Sequence, residues 1–218
     1  MGKKTALIAG STGLIGNELV KLLLKEDYYS KVKVAGRNNP GIEHPKLESI
    51  IINFDLLPDH REQLLANDVF CCLGTTMKRA KSREAFYKVD YTFPFELAKV
   101  ALLFSAEQFL LVTAMGANIN SRIYYNSVKG RLEESISEME FESIHIFRPS
   151  LLLGKRQELR LGESIGKIVA RLIDPIMVGP LNKYRAVKAS TVANAMFSMA
   201  KAGEKGVHYY ENDKILAF

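Results

Sequence analysis

No tryptophan occurs in the 218 residues, and the only two cysteines sit side by side at Cys71 and Cys72. That scarcity excludes a disulfide framework and a four-cysteine zinc site, and it predicts a reduced, cytoplasmic setting. Inside an apolar segment the two thiols read as buried and structural. No apolar run approaches the ~20 residues that a membrane helix needs, so no membrane partner is expected. The N-terminal MGKKTALIAG runs from two lysines straight into a short, glycine-interrupted segment, which does not read as a secretory signal. The four histidines, His44, His60, His145 and His208, are scattered without metal-ligand spacing, so no metal is expected. A concentrated basic stripe is also missing. The net charge of +6 comes from 30 Lys and Arg against 24 Asp and Glu, spread along the chain. Nucleic-acid proteins usually gather such charge on one face, so no nucleic-acid partner is expected. The densest points are Lys78, Arg79, Lys81 and Arg83, then Lys155, Arg156 and Arg160. They read as basic surface or, more sharply, as attraction for an anionic ligand.

What is present is ordinary for a folded domain: 47% hydrophobic and 25% charged residues. The length suits one domain over 1–218. Its core should lie at about 1–150, with a substrate-side elaboration at about 151–218. Apolar runs alternate with helical patterns. Strands are expected at 5–9, 31–36, 49–54, 68–73, 108–113 and 143–147. Helices are expected at 14–25, 58–66, 82–105 and 124–140, with Pro94 bending or dividing the third of these. This alternation argues for an α/β fold built on a doubly wound parallel sheet. The tail suggests helices near 163–173 and 191–202 and a late strand near 207–210.

Gly10-Ser-Thr-Gly13-Leu-Ile-Gly16 falls between the first strand and the first helix. There Gly10 would allow a tight turn, Gly13 a close backbone approach to a pyrophosphate, and Gly16 contact between helix and strand. The helix N-terminus adds N–H groups and a partial positive charge. Dinucleotide sites that prefer NAD place a carboxylate about 20 residues on. Here Gly36 is followed by Arg37, whose guanidinium suits a 2′-phosphate, so NADP(H) is the expected cofactor. Asp55 ends the third strand, where it could accept from an adenine amino group or serve as a cap or turn residue. Tyr125 and Lys129 are four apart on one helix face, and a nearby cation makes a phenol a usable acid/base. Tyr124 competes for the role, but the spacing to Lys129 favours Tyr125.

The glycine loop, Arg37, the Tyr125/Lys129 pair and Arg148-Pro149 together resemble the short-chain dehydrogenase/reductase superfamily in its extended or atypical branch. A narrower resemblance rests on Cys71-Cys72-Leu-Gly-Thr-Thr76, and on Phe147-Arg-Pro149 followed by Arg156-Gln-Glu158 and Gly162-Glu163. These look like the Tat-interactive oxidoreductase family, a Rossmann-fold, epimerase/dehydratase-like group, and the likeness covers nearly the whole chain. It implies that Gly10, Ser11, Thr12, Gly13, Leu14 and Ile15 wrap the pyrophosphate and that Arg37 holds the 2′-phosphate. It further implies that Asp55 and Leu56 flank the adenine, and that Leu73, Gly74 and Thr75 line the ribose and nicotinamide side. Tyr125 would exchange a proton with the substrate oxygen, Lys129 would hold the nicotinamide ribose, and Arg148 to Leu151 would pass the nicotinamide.

Superfamily enzymes carry a serine at the end of the fifth strand to orient the substrate. This chain has Thr113-Ala114, and Thr113 is the expected substitute. The resulting expectation is hydride transfer between NADP(H) and a small carbonyl or alcohol, compatible with an anionic substrate near Arg156, Arg160, Lys183 and Arg185. One alternative is a non-catalytic NADPH-binding, redox-sensing or regulatory protein, which the Ala114 departure favours. Another is a nucleoside-diphosphate-sugar epimerase or dehydratase, which the short tail and Arg37 disfavour. The 82–105 and 124–140 helices could pair in a homodimer, although no apolar stripe demands it.

Overall fold

The computed structural model describes residues 4–153 and 183–218. Seven parallel strands form the main sheet: β1 (Lys4–Ala9), β2 (Tyr29–Gly36), β3 (Leu47–Ile51), β4 (Asp68–Cys71), β5 (Gln108–Val112), β6 (Ser143–Arg148) and β9 (Gly206–Glu211). Their order is β3-β2-β1-β4-β5-β6-β9, so the direction of winding reverses between β1 and β4. Two short strands, β7 (Leu152–Leu153) and β8 (Val187–Lys188), pair separately. The helices are α1 (Leu14–Lys25), α2 (Met77–Ala80), α3 (Arg83–Tyr87), α4 (Phe93–Leu103), α5 (Tyr124–Ser137), α6 (Ala189–Ala202) and α7 (Asn212–Ile215).

Burial on both faces explains why the strands read as continuous apolar runs. Along β1, Ala6 and Ile8 face one core with α1 and α6, while Leu7 and Ala9 face the other with α4 and α5. The register of β5 divides the same way, with Leu110 and Val112 on the first face and Phe109 and Leu111 on the second. The expected doubly wound α/β fold is therefore present. The tail adds more than an elaboration, because β9 pairs with β6 and closes the sheet on that side. The helix expected near 163–173 lies outside the described residues.

Four expected elements differ. The third strand spans Leu47–Ile51, and the helix expected from Pro58 is a 3-10 segment that begins at Phe54, its first turn capped by the Asn53 side chain. The helix expected over 124–140 stops at Ser137. The helix expected over 82–105 is divided by a π turn, Lys88–Thr92, in which the Phe93 N–H reaches back to the Lys88 carbonyl. Pro94 explains it. Pro94 has no N–H to give, and in α geometry its ring would meet the carbonyl four residues back. Widening by one residue relieves the clash, and π turns are frequent at functional sites.

At the opposite end of the strands, Tyr29 donates to Asp68 over 2.6 Å, and Gln108 joins Asp68 to the Ala200 carbonyl. Next to this edge, His145 is fully buried, stacked on His208 and bonded to the Tyr210 hydroxyl. Burial, with the His208 charge adding to it, lowers its pKa to about 4 from the usual 6.5. The unfolded chain binds a proton in this window and the native state does not. Stability should therefore fall as pH drops from 6.5 towards 4, by up to about 3 kcal/mol from this group. Urea unfolding of the wild type and His145→Gln at neutral pH and at pH about 4.5 measures it. The variant should lose less stability between the two conditions than the wild type.

Candidate functional site

The glycine loop leaves β1 at Gly10, whose φ is +87°. A β-carbon there would lie 2.5 Å from the Cys72 carbonyl oxygen, and one on Gly16 would lie 2.2 Å from the Gly10 oxygen. Both contacts are with backbone, so the loop, α1 and the end of β4 close on one another only through glycine. Gly13 is the N-cap of α1, no side chain caps that helix, and its first turn carries no acidic residue. The first amides of α1 thus keep their capacity for an anion. Ser11 is buried, Thr12 is exposed, and Leu14 and Ile15 turn their side chains to the core, so these positions offer backbone rather than side chain. A β-carbon on Gly36 would come within 4.0 Å of the Ser11 hydroxyl, which sets the end of β2 beside the loop. Arg37 follows, exposed and without an ion pair among the described residues.

Asp55 is exposed and pairs with Lys88 of the π turn over 2.6 Å; Leu56 beside it is exposed as well. Leu73 packs against the second core, and the Thr75 N–H donates to Asp90. Tyr125 stands at the start of α5, its ring 5.4 Å from that of Phe86. The Tyr124 hydroxyl is spent on the Arg83 carbonyl, whereas the Tyr125 hydroxyl has no hydrogen bond among the described residues. This separates the two tyrosines as their spacing to Lys129 does. Lys129 is buried against Asp90, with Nζ to Oδ1 at 2.9 Å. Burial pulls its pKa down, but the Asp90 charge, with Tyr125 and Cys71 contributing, outweighs that and leaves it raised. Burial pushes the Cys71 thiol up to about 12 and raises Cys72 too, so both are inert at neutral pH.

Two expected site residues are held by partners within the fold. Thr113 is buried and its hydroxyl, the expected orienter, donates to Glu133 over 2.5 Å. The physical reason is the stronger acceptor: a buried carboxylate captures the nearest O–H. Arg148 is likewise engaged, forking onto Glu133 and pairing with Glu211 over 2.7 Å, with Tyr209 under its guanidinium. Leu151 is exposed at the start of the β7 segment, and its carbonyl receives the Val187 N–H. Arg156 and Arg160 lie outside the described residues. Sequence reasoning missed Asp90 and Glu133. Each had a signal: Glu133 continues the stripe of Tyr125 and Lys129 by four more residues, and Asp90 is a carboxylate four residues before a helical proline.

Known proteins place this arrangement. No family model matches the chain. Protein HTATIP2 of Rattus norvegicus is 32% identical over 222 residues, which cover 99% of this chain and 89% of that protein. The chain belongs to the HTATIP2 family. A protein named FMP52-1, mitochondrial, from Scheffersomyces stipitis is 30% identical, with 95% of each chain covered. FMP52 of Candida albicans, also named mitochondrial, is 29% identical over 97% of this chain. Those yeast relatives correct the expectation of a cytoplasmic protein, since they are named for another compartment. Among the described residues no helix is long and apolar enough to cross a membrane. Solved structures share the fold at low identity. The UDP-N-acetylglucosamine 4-epimerase of Methanobrevibacter ruminantium, in complex with UDP-N-acetylmuramic acid, superposes with TM-score 0.71 at 15% identity, covering 97% of this chain and 77% of that one. Bordetella bronchiseptica WbmH, in complex with NAD+, gives 0.70 at 13%, covering 95% and 75%. This HTATIP2 relative therefore shares the Rossmann-like fold of those structures.

Proposed function

We propose that the chain is an NADP(H)-dependent oxidoreductase acting on a small carbonyl or alcohol, with Tyr125 as its acid/base. One observation carries the reading. The four residues Cys71–Gly74 touch Gly10 of the glycine loop at Cys72, while a β-carbon on Gly74 would stand 3.6 Å from Lys129 Nζ. A single strand end thus links a phosphate cradle to the Tyr125–Lys129 pair. The residues fit the cofactor: uncapped α1 amides for the pyrophosphate, and, among the described residues, an Arg37 without an ion pair for the 2′-phosphate and a Tyr125 hydroxyl without a hydrogen bond for the substrate oxygen. When bound, the nicotinamide would give a hydride to a carbonyl carbon or accept one from an alcohol carbon. Tyr125 gives or takes the proton at that oxygen, Lys129 lends its charge, and the loop amides hold the phosphates.

Calorimetry with NADPH and NADH in parallel, on wild type and Arg37→Ala, tests the cofactor. NADPH should bind more tightly than NADH, and Arg37→Ala should weaken NADPH by about 10- to 100-fold while leaving NADH nearly unchanged, as for loss of a charged hydrogen-bonded pair. Equal affinity of the wild type for both nucleotides overturns the NADP assignment. Absence of binding overturns the oxidoreductase reading.

The capture of Thr113 by Glu133, with Ala114 beside it, favours a second reading: a protein that holds NADPH without turning over a substrate. Steady NADPH oxidation with carbonyl compounds that vanishes in Tyr125→Phe removes this second reading.

A further inference from the structure

Lys129 is required as a cation beside Tyr125, yet its charge is already matched by a carboxylate inside the protein. The Lys129 and Asp90 side chains are 3% and 1% exposed and 2.9 Å apart. An isolated buried pair is a weak source of stability, so its place in the site points to another use. The second Asp90 oxygen accepts the Thr75 N–H over 2.8 Å. One oxygen therefore serves a cation on α5 and the other a backbone amide just past β4. An amide side chain has a single acceptor atom and could serve only one of the two. Asp90 points inward because it lies in the π turn that Pro94 imposes, and Lys88 of the same turn grips Asp55. The groups facing Lys129 are Asp90 from the π turn, Tyr125 from its own helix and Cys71 from β4. Asp90 is the one carboxylate among them.

We infer that Asp90 is a positioning residue of the proposed reaction: it clamps Lys129 to the Thr75 backbone and holds the ammonium charge beside Tyr125. This rests on the Tyr125–Lys129 function proposed above, but the clamp itself can be measured without a nucleotide. Without Asp90, burial acts on Lys129 against only the smaller influence of Tyr125 and Cys71, and favours the neutral amine.

The experiment is a pH titration of lysine side chains by NMR, with the Lys129 signal assigned by its loss in Lys129→Met. In the wild type, Lys129 should titrate above 10.5, the ordinary lysine value. In Asp90→Asn the midpoint should fall below that of the wild type, because burial lowers it and the largest opposing charge is gone. Amide exchange at Thr75 should accelerate about tenfold or more, since the amide can no longer accept from both donors. An unchanged Lys129 midpoint in the variant overturns the inference. Should Asp90→Asn fail to fold, a wild-type Lys129 that titrates below 10.5, or an unprotected Thr75 amide, overturns it equally. NADPH calorimetry on the same samples separates the two ideas. A shifted Lys129 in a protein that binds no NADPH keeps the clamp and sinks the oxidoreductase reading. NADPH binding with an unshifted Lys129 does the reverse.

Discussion

Glu133→Gln is expected to destabilise the protein by about 3 kcal/mol or more, the scale for removing one partner of a buried ion pair. Glu133 is 3% exposed on its side chain. Its carboxylate takes the Arg148 Nε and the Arg148 Nη2, the latter at 2.5 Å, and the Thr113 hydroxyl. The ends of β5 and β6 are thereby tied to α5, and β9 is added through Arg148 to Glu211. A glutamine keeps the volume but not the charge. Arg148 would be left with Glu211 alone, and the amide N–H₂ would face a guanidinium that also donates. In a chain of this size the loss should lower Tm by roughly 6–12 °C. Glu133→Leu combined with Arg148→Met removes both charges and should be milder than the single change, because no unpaired charge stays behind. Chemical denaturation of the three proteins decides it. A Glu133→Gln protein within about 1 kcal/mol of wild type would show that the network is not a structural tie.

Gly10→Ala should be nearly as severe, and its loss should extend to ligand binding. The φ of +87° is costly for any L side chain, by about 1–2 kcal/mol. The new methyl would also lie 2.5 Å from the Cys72 oxygen and 2.7 Å from the Cys72 carbonyl carbon. Neither can yield without moving the end of β4, and overpacking of this kind adds about 1–3 kcal/mol. A total of about 2–5 kcal/mol follows from these two causes. The same displacement would move the loop amides that the proposed function assigns to the phosphates. Nucleotide affinity should therefore fall more than it does in Arg37→Ala, which changes one exposed side chain and leaves the loop intact. Denaturation together with NADPH calorimetry tests both halves. A stable Gly10→Ala protein would mean that the loop relaxes without cost.

Much of this was legible along the chain because local physics repeats there. Strands buried on both faces must be apolar without interruption, so TALIA, DVF and QFLLV mark β1, β4 and β5 within a residue or two. Helix α1 is delimited by Gly13 before it and by the end of its apolar spacing at Lys25. The glycine spacing and the four-residue step from Tyr125 to Lys129 are local as well, and they named the loop and the pair before any contact was known.

What the sequence left open depended on which distant groups meet. Thr113 carries a hydroxyl at the expected place, but a carboxylate 20 residues away captures it. Arg148 looks available for a cofactor until β9, more than 50 residues on, brings Glu211 to it. Asp90 in sequence is one acid in a helical stretch; only the π turn forced by Pro94 aims it at Lys129 and Thr75. Hydrophobic periodicity and glycine spacing are properties of a segment, so the sequence by itself determined most of the elements, their parallel winding and the loop–pair motif. Charge partners and the direction of a side chain are properties of packing, where desolvation makes every buried hydroxyl, carboxylate and cation take the nearest partner. Tertiary structure alone decided those.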